Sequence, residues 1–286
     1  MAVSHMAISD SDIIKNINNN TNTTSNLEKK NNKSNNDAGI ESMFEYDELK
    51  LYFGEDYSVS NKITIHQPTI GEIVSWGERE YYSMIYTLTC IPSDMKSQLD
   101  DIGIDYMEIS DFELFMLLCS NLTPKQTSIV LGDLDFSKFI KCRNQENGEI
   151  CLYDNVNDIV IDRFVYMKIV DYLRKLHNIK PKIEKAATKT VKKILIQLDR
   201  EKISKSKNEP YKSQLKELVS AMMRYPGFKY KKNELKECGL YEFMDTVQGA
   251  QIYVSTTALL SGMYSGMVDT SKINKKEFNW MRSVNE

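Results

Sequence analysis

Five lysines, Lys182, Lys185, Lys189, Lys192 and Lys193, fall within twelve residues. Cations in such a row can hold phosphates or an acidic protein face. From Lys180 to Lys236 there are 17 basic and six acidic residues, yet Arg200 and Arg224 are the only arginines. Base readout relies on arginine, so the row suits backbone phosphates or a protein partner better than a DNA sequence. The basic stretch also carries Tyr225 and Phe228 on either side of Pro226-Gly227. Rings beside such a chain break are expected to pack an interhelical corner. With the five lysines they make up the candidate interaction surface.

Residues able to do covalent or acid–base chemistry are scattered. The three histidines, His5, His66 and His177, have no second histidine within one helical turn. The chain has no GxSxG, no GxGxxG and no GxxxxGK[ST]. Asp105, Glu108, Asp111, Glu113, Asp133 and Asp135 lack the alternating twelve-residue spacing of a calcium loop. Asp133 and Asp135 suit a capping role equally well. Cys90, Cys119, Cys142, Cys151 and Cys238 include no CxxC pair, whereas structural zinc needs four ligands in paired spacings. Free thiols are expected, with Cys142 and Cys151 able to face each other across a predicted hairpin. No catalytic, cofactor or metal residue is predicted, and the chain reads as non-enzymatic.

The elements that must carry these residues are mostly helical. Twelve glycines and six prolines in 286 residues argue against a turn-rich β-sandwich. Residues 1–42 form a polar tail with ten asparagines between Asn16 and Asn36, too poor in apolar side chains to offset its ordering entropy. Residues 43–160 read as an α+β region with acidic helices, and 161–286 as a helical region with the basic segment. "KLYF" and "KITIHQ" read as extended. Thr69 caps a long helix with Glu72 as its capping-box partner, running to Pro92. Ser110 and Glu113 open a second helix in the same way. Two strands are expected around "NQENG", where Asn147-Gly148 favours a hairpin turn. Val165, Ile169, Tyr172, Leu173 and Leu176 form an amphipathic stripe. Ile194, Leu195 and Leu198 are expected to point inward on the lysine-rich helix, and Asn274 to cap a terminal helix. The predicted fold is mainly α: a multi-helix bundle with a small β element in the N-terminal half. No run of 18 apolar residues predicts a membrane span, and no secretory signal is read at the start.

"ITIHQPTIGEI", "GEREYYSMIYTLTCIPSDMKSQL", "ISDFELFMLL", "LGDLDFSKF" and "YPGFKYKKNEL…YEFMDTVQGAQ…LLSGMYSGMVDTSKINKKEFNWM" together resemble structural-module proteins of tailed bacteriophages of Gram-positive bacteria. The likeness runs from Lys62 to Trp280. It implies a tail-assembly chaperone or a minor tail protein, with a tail protein such as the tape measure as partner and the host cytoplasm as location. A virion tail or baseplate subunit is the alternative the resemblance allows. A nucleic-acid-binding protein using the lysine-rich helices is a third reading.

Overall fold

A computed structural model of the chain describes residues 5–7, 44, 46–144, 148–207, 209–269, 271 and 273–283. It is 56% helix and 9% strand, which makes the protein mainly helical. Among the described residues six strands form two sheets. In the first, β1 (His5–Ala7), β4 (Ile140–Asn144), β5 (Ile150–Asp154) and β6 (Ile159–Ile161) lie in that order, all antiparallel. In the second, β2 (Tyr57–Ser60) pairs with β3 (Ile63–Ile65). The strands thus extend to Ile161, past the N-terminal half of the chain. Apart from His5–Ala7, the asparagine-rich tail lies outside the described residues, as does Asn147 of the predicted turn.

The chain forms two compact units, each built from three segments. They do not follow a cut at residue 160, since β6 and the helix after it belong to the same unit.

The first unit comprises residues up to Tyr46, Asp56–His66 and Arg79–Tyr211. Its two sheets are joined by α3 (Glu78–Thr89), α4 (Lys96–Asp101), α5 (Asp111–Cys119), α6 (Pro124–Leu131), α7 (Arg163–Leu176) and α8 (Lys189–Lys207). Asp162 caps α7 by accepting from the Val165 N–H at 2.8 Å. The helix buries Tyr166, Ile169, Val170, Tyr172, Leu173 and Leu176 against β2 and β6. Phe112 and Phe115 of α5 bring their rings to 5.2 and 4.9 Å from Tyr166. Arg174 ties in α3, donating Nε and Nη2 to the Thr89 carbonyl at 3.2 and 2.8 Å. Ser110 and Glu113 make the expected capping box at the head of α5.

The second unit comprises Asp47–Glu55, Gln67–Glu78 and Lys212–Glu286. It holds α1 (Glu48–Tyr52), α2 (Ile70–Trp76), α9 (Gln214–Arg224), α10 (Glu234–Glu237), α11 (Leu240–Tyr264) and a 3-10 turn, Lys275–Phe278. "KLYF" is therefore helical at its start, not extended. Asp47 captures the N–H groups of Leu49 and Lys50, and Gly54 at φ +72° turns the chain out. The single helix expected from Thr69 to Pro92 is two. The Thr69–Glu72 capping box starts α2, and Gly77 at φ +113°, a value side chains rarely tolerate, ends it before α3. A two-bond bridge joins α2 to α11: Ile70 N–H to the Cys238 carbonyl, and Leu240 N–H to the Pro68 carbonyl, at 3.0 and 3.1 Å. Gly71 permits α10 to approach, because a Cβ there would stand 2.8 Å from the Lys236 carbonyl oxygen. The predicted terminal helix is one 3-10 turn, with Asn274 accepting from the Lys276 N–H.

Candidate interaction surface

The lysine row divides by the partners its members find. Lys192 pairs with Asp105, and Lys182 with Glu184 at 3.3 Å. Lys185, Lys189 and Lys193 are exposed and make no ion pair among the described residues. The acidic segment that precedes the basic one thus neutralises part of it within the first unit. Lys96, a buried lysine, donates to the Ser93 carbonyl and to Glu184 Oε2 at 2.9 Å. That hydrogen bond holds the Glu184 carboxyl below its ordinary range. Asp199 accepts from the Ser97 N–H and hydroxyl at 3.0 and 2.7 Å. Arg200 reaches Asp100 and Asp101.

These contacts turn α8 away from the expected facing: of the three residues expected inward, Leu195 is half-buried and the other two are exposed. Ile196 is the buried residue, while Ile194 and Leu198 are 53% and 55% exposed and Val191 is exposed beside them. The inward face is set by Lys192, Ile196 and Asp199, at helical offsets of four and three. The side chains that look like core by hydropathy alone are left facing out. A hollow of about 180 Å³ lies where α4 ends against α8, lined by Asp105, Tyr106, Lys192 and Ile196 among others. It is smaller than the roughly 300 Å³ at which small-molecule sites begin.

Tyr225 and Phe228 belong to the second unit and are half-buried. The Phe228 N–H closes a turn on the Tyr225 carbonyl at 3.1 Å. The Tyr225 ring lies over Gly227 so closely that a Cβ there would meet it at 2.6 Å. Phe228 contacts the Tyr230 ring at 5.4 Å. Tyr230 donates to Glu242, which also accepts from the Cys238 thiol at 3.3 Å. This corner clips the chain onto the first turn of α11, a packing role.

The surface that sequence reasoning passed over is on α11 itself. Leu240, Phe243 and Val247 are buried in the second unit. Continuing in steps of three and four, the same helical face presents Ala250, Val254, Ala258 and Ser261. Val254 is 53% exposed, and Ala258 and Ser261 are exposed too. The face that begins in the core thus runs on without cover among the described residues. The back of the helix is held, since the buried Thr256 donates to the Glu277 carbonyl at 3.0 Å and Tyr253 meets Trp280 edge-on. From Thr246 to Val268 the chain has 23 residues and not one charge. Tyr264, Met267 and Met281 add exposed apolar area near the chain's end. The signal was present as that charge-free run, but hydropathy periodicity is weak there because small and hydroxyl side chains fill the stripe.

Among the described residues His66 and His177 do not gather catalytic partners. His66 Nδ1 is 2.8 Å from Asp56 Oδ1, and both are exposed. His177 stands at the C-terminal end of α7, where a cation would suit the helix dipole, yet it is a neutral imidazole. Its Nδ1 is 2.7 Å from the Leu173 carbonyl and its Nε2 is 2.7 Å from the Tyr81 hydroxyl. Burial lowers its pKa to about 4. With Nδ1 donating to the carbonyl, Nε2 accepts from Tyr81. Among the described residues no group of three His, Cys, Asp or Glu could hold a metal ion, and no helix is long and apolar enough to cross a membrane.

No protein-family model matches the chain, and no curated protein or solved structure matches it.

Proposed function

We propose that this protein is a non-enzymatic assembly factor that binds an apolar helix of another protein along the uncovered half of α11. The observation that carries the reading is the continuation of the Leu240–Phe243–Val247 core stripe through half-buried Ala250 into exposed Val254 and Ala258 within a run that carries no charge. A helix face kept for water carries charges, and this chain is 27% charged overall. A charge-free face of small side chains lets another helix approach closely and bury apolar area without desolvating an ion. The sequence resemblance supplies the class of partner. The protein acts as a phage tail-assembly chaperone in the host cytoplasm, sheltering amphipathic helices of a tail protein such as the tape measure until the tail polymerises. Its own helices pack as a multi-helix bundle.

The test is co-expression with the tape-measure protein of the same phage. The wild-type chain is expected to raise the soluble yield of that protein and to co-elute with it. A Val254→Lys, Ala258→Glu double variant is expected to fold and to lose both effects. Undiminished co-elution of the double variant contradicts the reading. Mass spectrometry of purified particles separates it from the virion-subunit alternative, which requires the chain to remain in the particle. A nucleic-acid role for Lys185, Lys189 and Lys193 requires DNA or RNA binding that weakens steeply with salt. The exposed apolar Val191, Ile194 and Leu198 on the same helix favour a protein surface there.

A further inference from the structure

Cys142 stands in β4 and Cys151 in β5, and the antiparallel register sets their Cα atoms directly opposite one another. Both side chains are buried, at 0% and 2% exposure, with their sulfurs 3.7 Å apart. Two residues along each strand, the Asn144 N–H bonds to the Glu149 carbonyl at 2.8 Å. By the two-residue alternation of the ladder, Cys142 and Cys151 also occupy a hydrogen-bonded position, where facing Cα atoms are about 5.5 Å apart. Disulfides span Cα separations of about 4.4–6.8 Å, so the backbone is already placed for one. Rotation about the side-chain bonds is the movement that remains. The other thiols make different contacts: Cys90 with Thr87 and Met95, Cys119 with Met116, and Cys238 with Gly239 and Glu242.

We propose that Cys142 and Cys151 are a two-thiol oxidation site that closes reversibly to a disulfide across the β4–β5 hairpin. The co-reactant is a small disulfide of the glutathione class. One protein thiolate attacks a glutathione sulfur, forming a mixed disulfide and expelling one glutathione thiolate. The second protein thiolate then attacks the protein-side sulfur and expels the other glutathione. The two protein thiols give up two protons and two electrons, and the reagent's sulfur–sulfur bond is reduced to two thiols. Burial pushes the Cys151 thiol up to about 12 and raises that of Cys142, so thiolate is scarce in the folded hairpin at neutral pH. Closure is therefore slow in the native protein and faster at alkaline pH or while the hairpin is still forming.

The test equilibrates the full chain with oxidised glutathione at pH 8.5, once native and once after unfolding and refolding in the same buffer. Both samples are then alkylated and digested with trypsin. Cleavage after Lys141, Arg143 and Arg163 puts the two cysteines in separate peptides, 142–143 and 144–163. The expected result is those peptides joined to each other, with Cys90, Cys119 and Cys238 alkylated. The melting temperature should rise by about 5 °C and fall back on reduction, since the bond closes a short loop. A Cys151→Ser chain should show neither change. Recovery of Cys142 and Cys151 unlinked in both samples, or links to other cysteines in equal yield, would overturn the proposal.

Discussion

At the scale of single residues, the informative group is His177. Its position at the end of α7 was plain from the sequence, but its charge was not. Helix-end logic favours a cation, whereas the Tyr81 hydroxyl and the Leu173 carbonyl use both ring nitrogens in the neutral form. A tertiary partner 96 residues away in sequence cannot be read from local pattern. The pH consequence follows in sign. The folded-state pKa of about 4 lies below the ordinary value of 6.5. Between those values the unfolded chain holds the proton and the folded chain does not. This contribution to stability is therefore complete above about pH 6.5 and is lost as pH falls toward 4. Denaturant unfolding at pH 7 and pH 4.5 should differ by about 2 kcal/mol more in the wild type than in a His177→Gln chain. Equal differences would contradict the neutral-histidine account. Capping residues were the opposite case. Thr69 with Glu72 and Ser110 with Glu113 were legible because each box depends on residues three apart and on nothing distant.

At the scale of elements, type was more legible than boundary or facing. The α7 stripe could be read because the helix packs along one side, and Ile169, Tyr172, Leu173 and Leu176 are buried as expected. α8 could not, because ion pairs and hydrogen bonds rather than hydropathy choose its inward face. Asp199→Ala removes the Oδ2 that accepts from both the Ser97 N–H and its hydroxyl and should cost about 1–2 kcal/mol, lowering hydrogen-exchange protection along α8 first. Unchanged protection would mean that Ile196 alone holds the helix. The glycines of α11 give a paired prediction. At Gly249 a Cβ meets nothing within 4 Å, so Gly249→Ala should stabilise the isolated protein by about 0.5–1 kcal/mol. At Gly262 it would come 2.5 Å from Val268 Cγ2, so Gly262→Ala should destabilise and loosen the return of the chain after the helix. Thermal melts of the two variants should therefore move in opposite directions. The break at Gly77 was missed because the apolar period continues across it. The change of direction resides in the backbone angle of one residue.

At the scale of the whole molecule, the mainly helical class was readable from low glycine and proline content and from the long amphipathic stretches. The division into units was not. Residues Asp56–His66 belong to one unit while their neighbours on both sides belong to the other, and such interleaving leaves no composition boundary in the chain. The acidic and basic segments were visible as a charge asymmetry, and the structure offsets part of it internally through Lys192–Asp105 and Arg200–Asp100. Among the described residues, the charge-free half of α11 and the outward stripe of α8 leave apolar side chains exposed, Val254 on the first and Val191, Ile194 and Leu198 on the second.

The account stands on α11 being a docking face. The most direct measurement is the affinity of the tape-measure protein for the wild-type chain and for the Val254→Lys, Ala258→Glu chain, with circular dichroism of both. The account predicts equal helicity and at least a tenfold loss of affinity in the variant, about 1.4 kcal/mol. Equal affinity, with the fold intact, would contradict it.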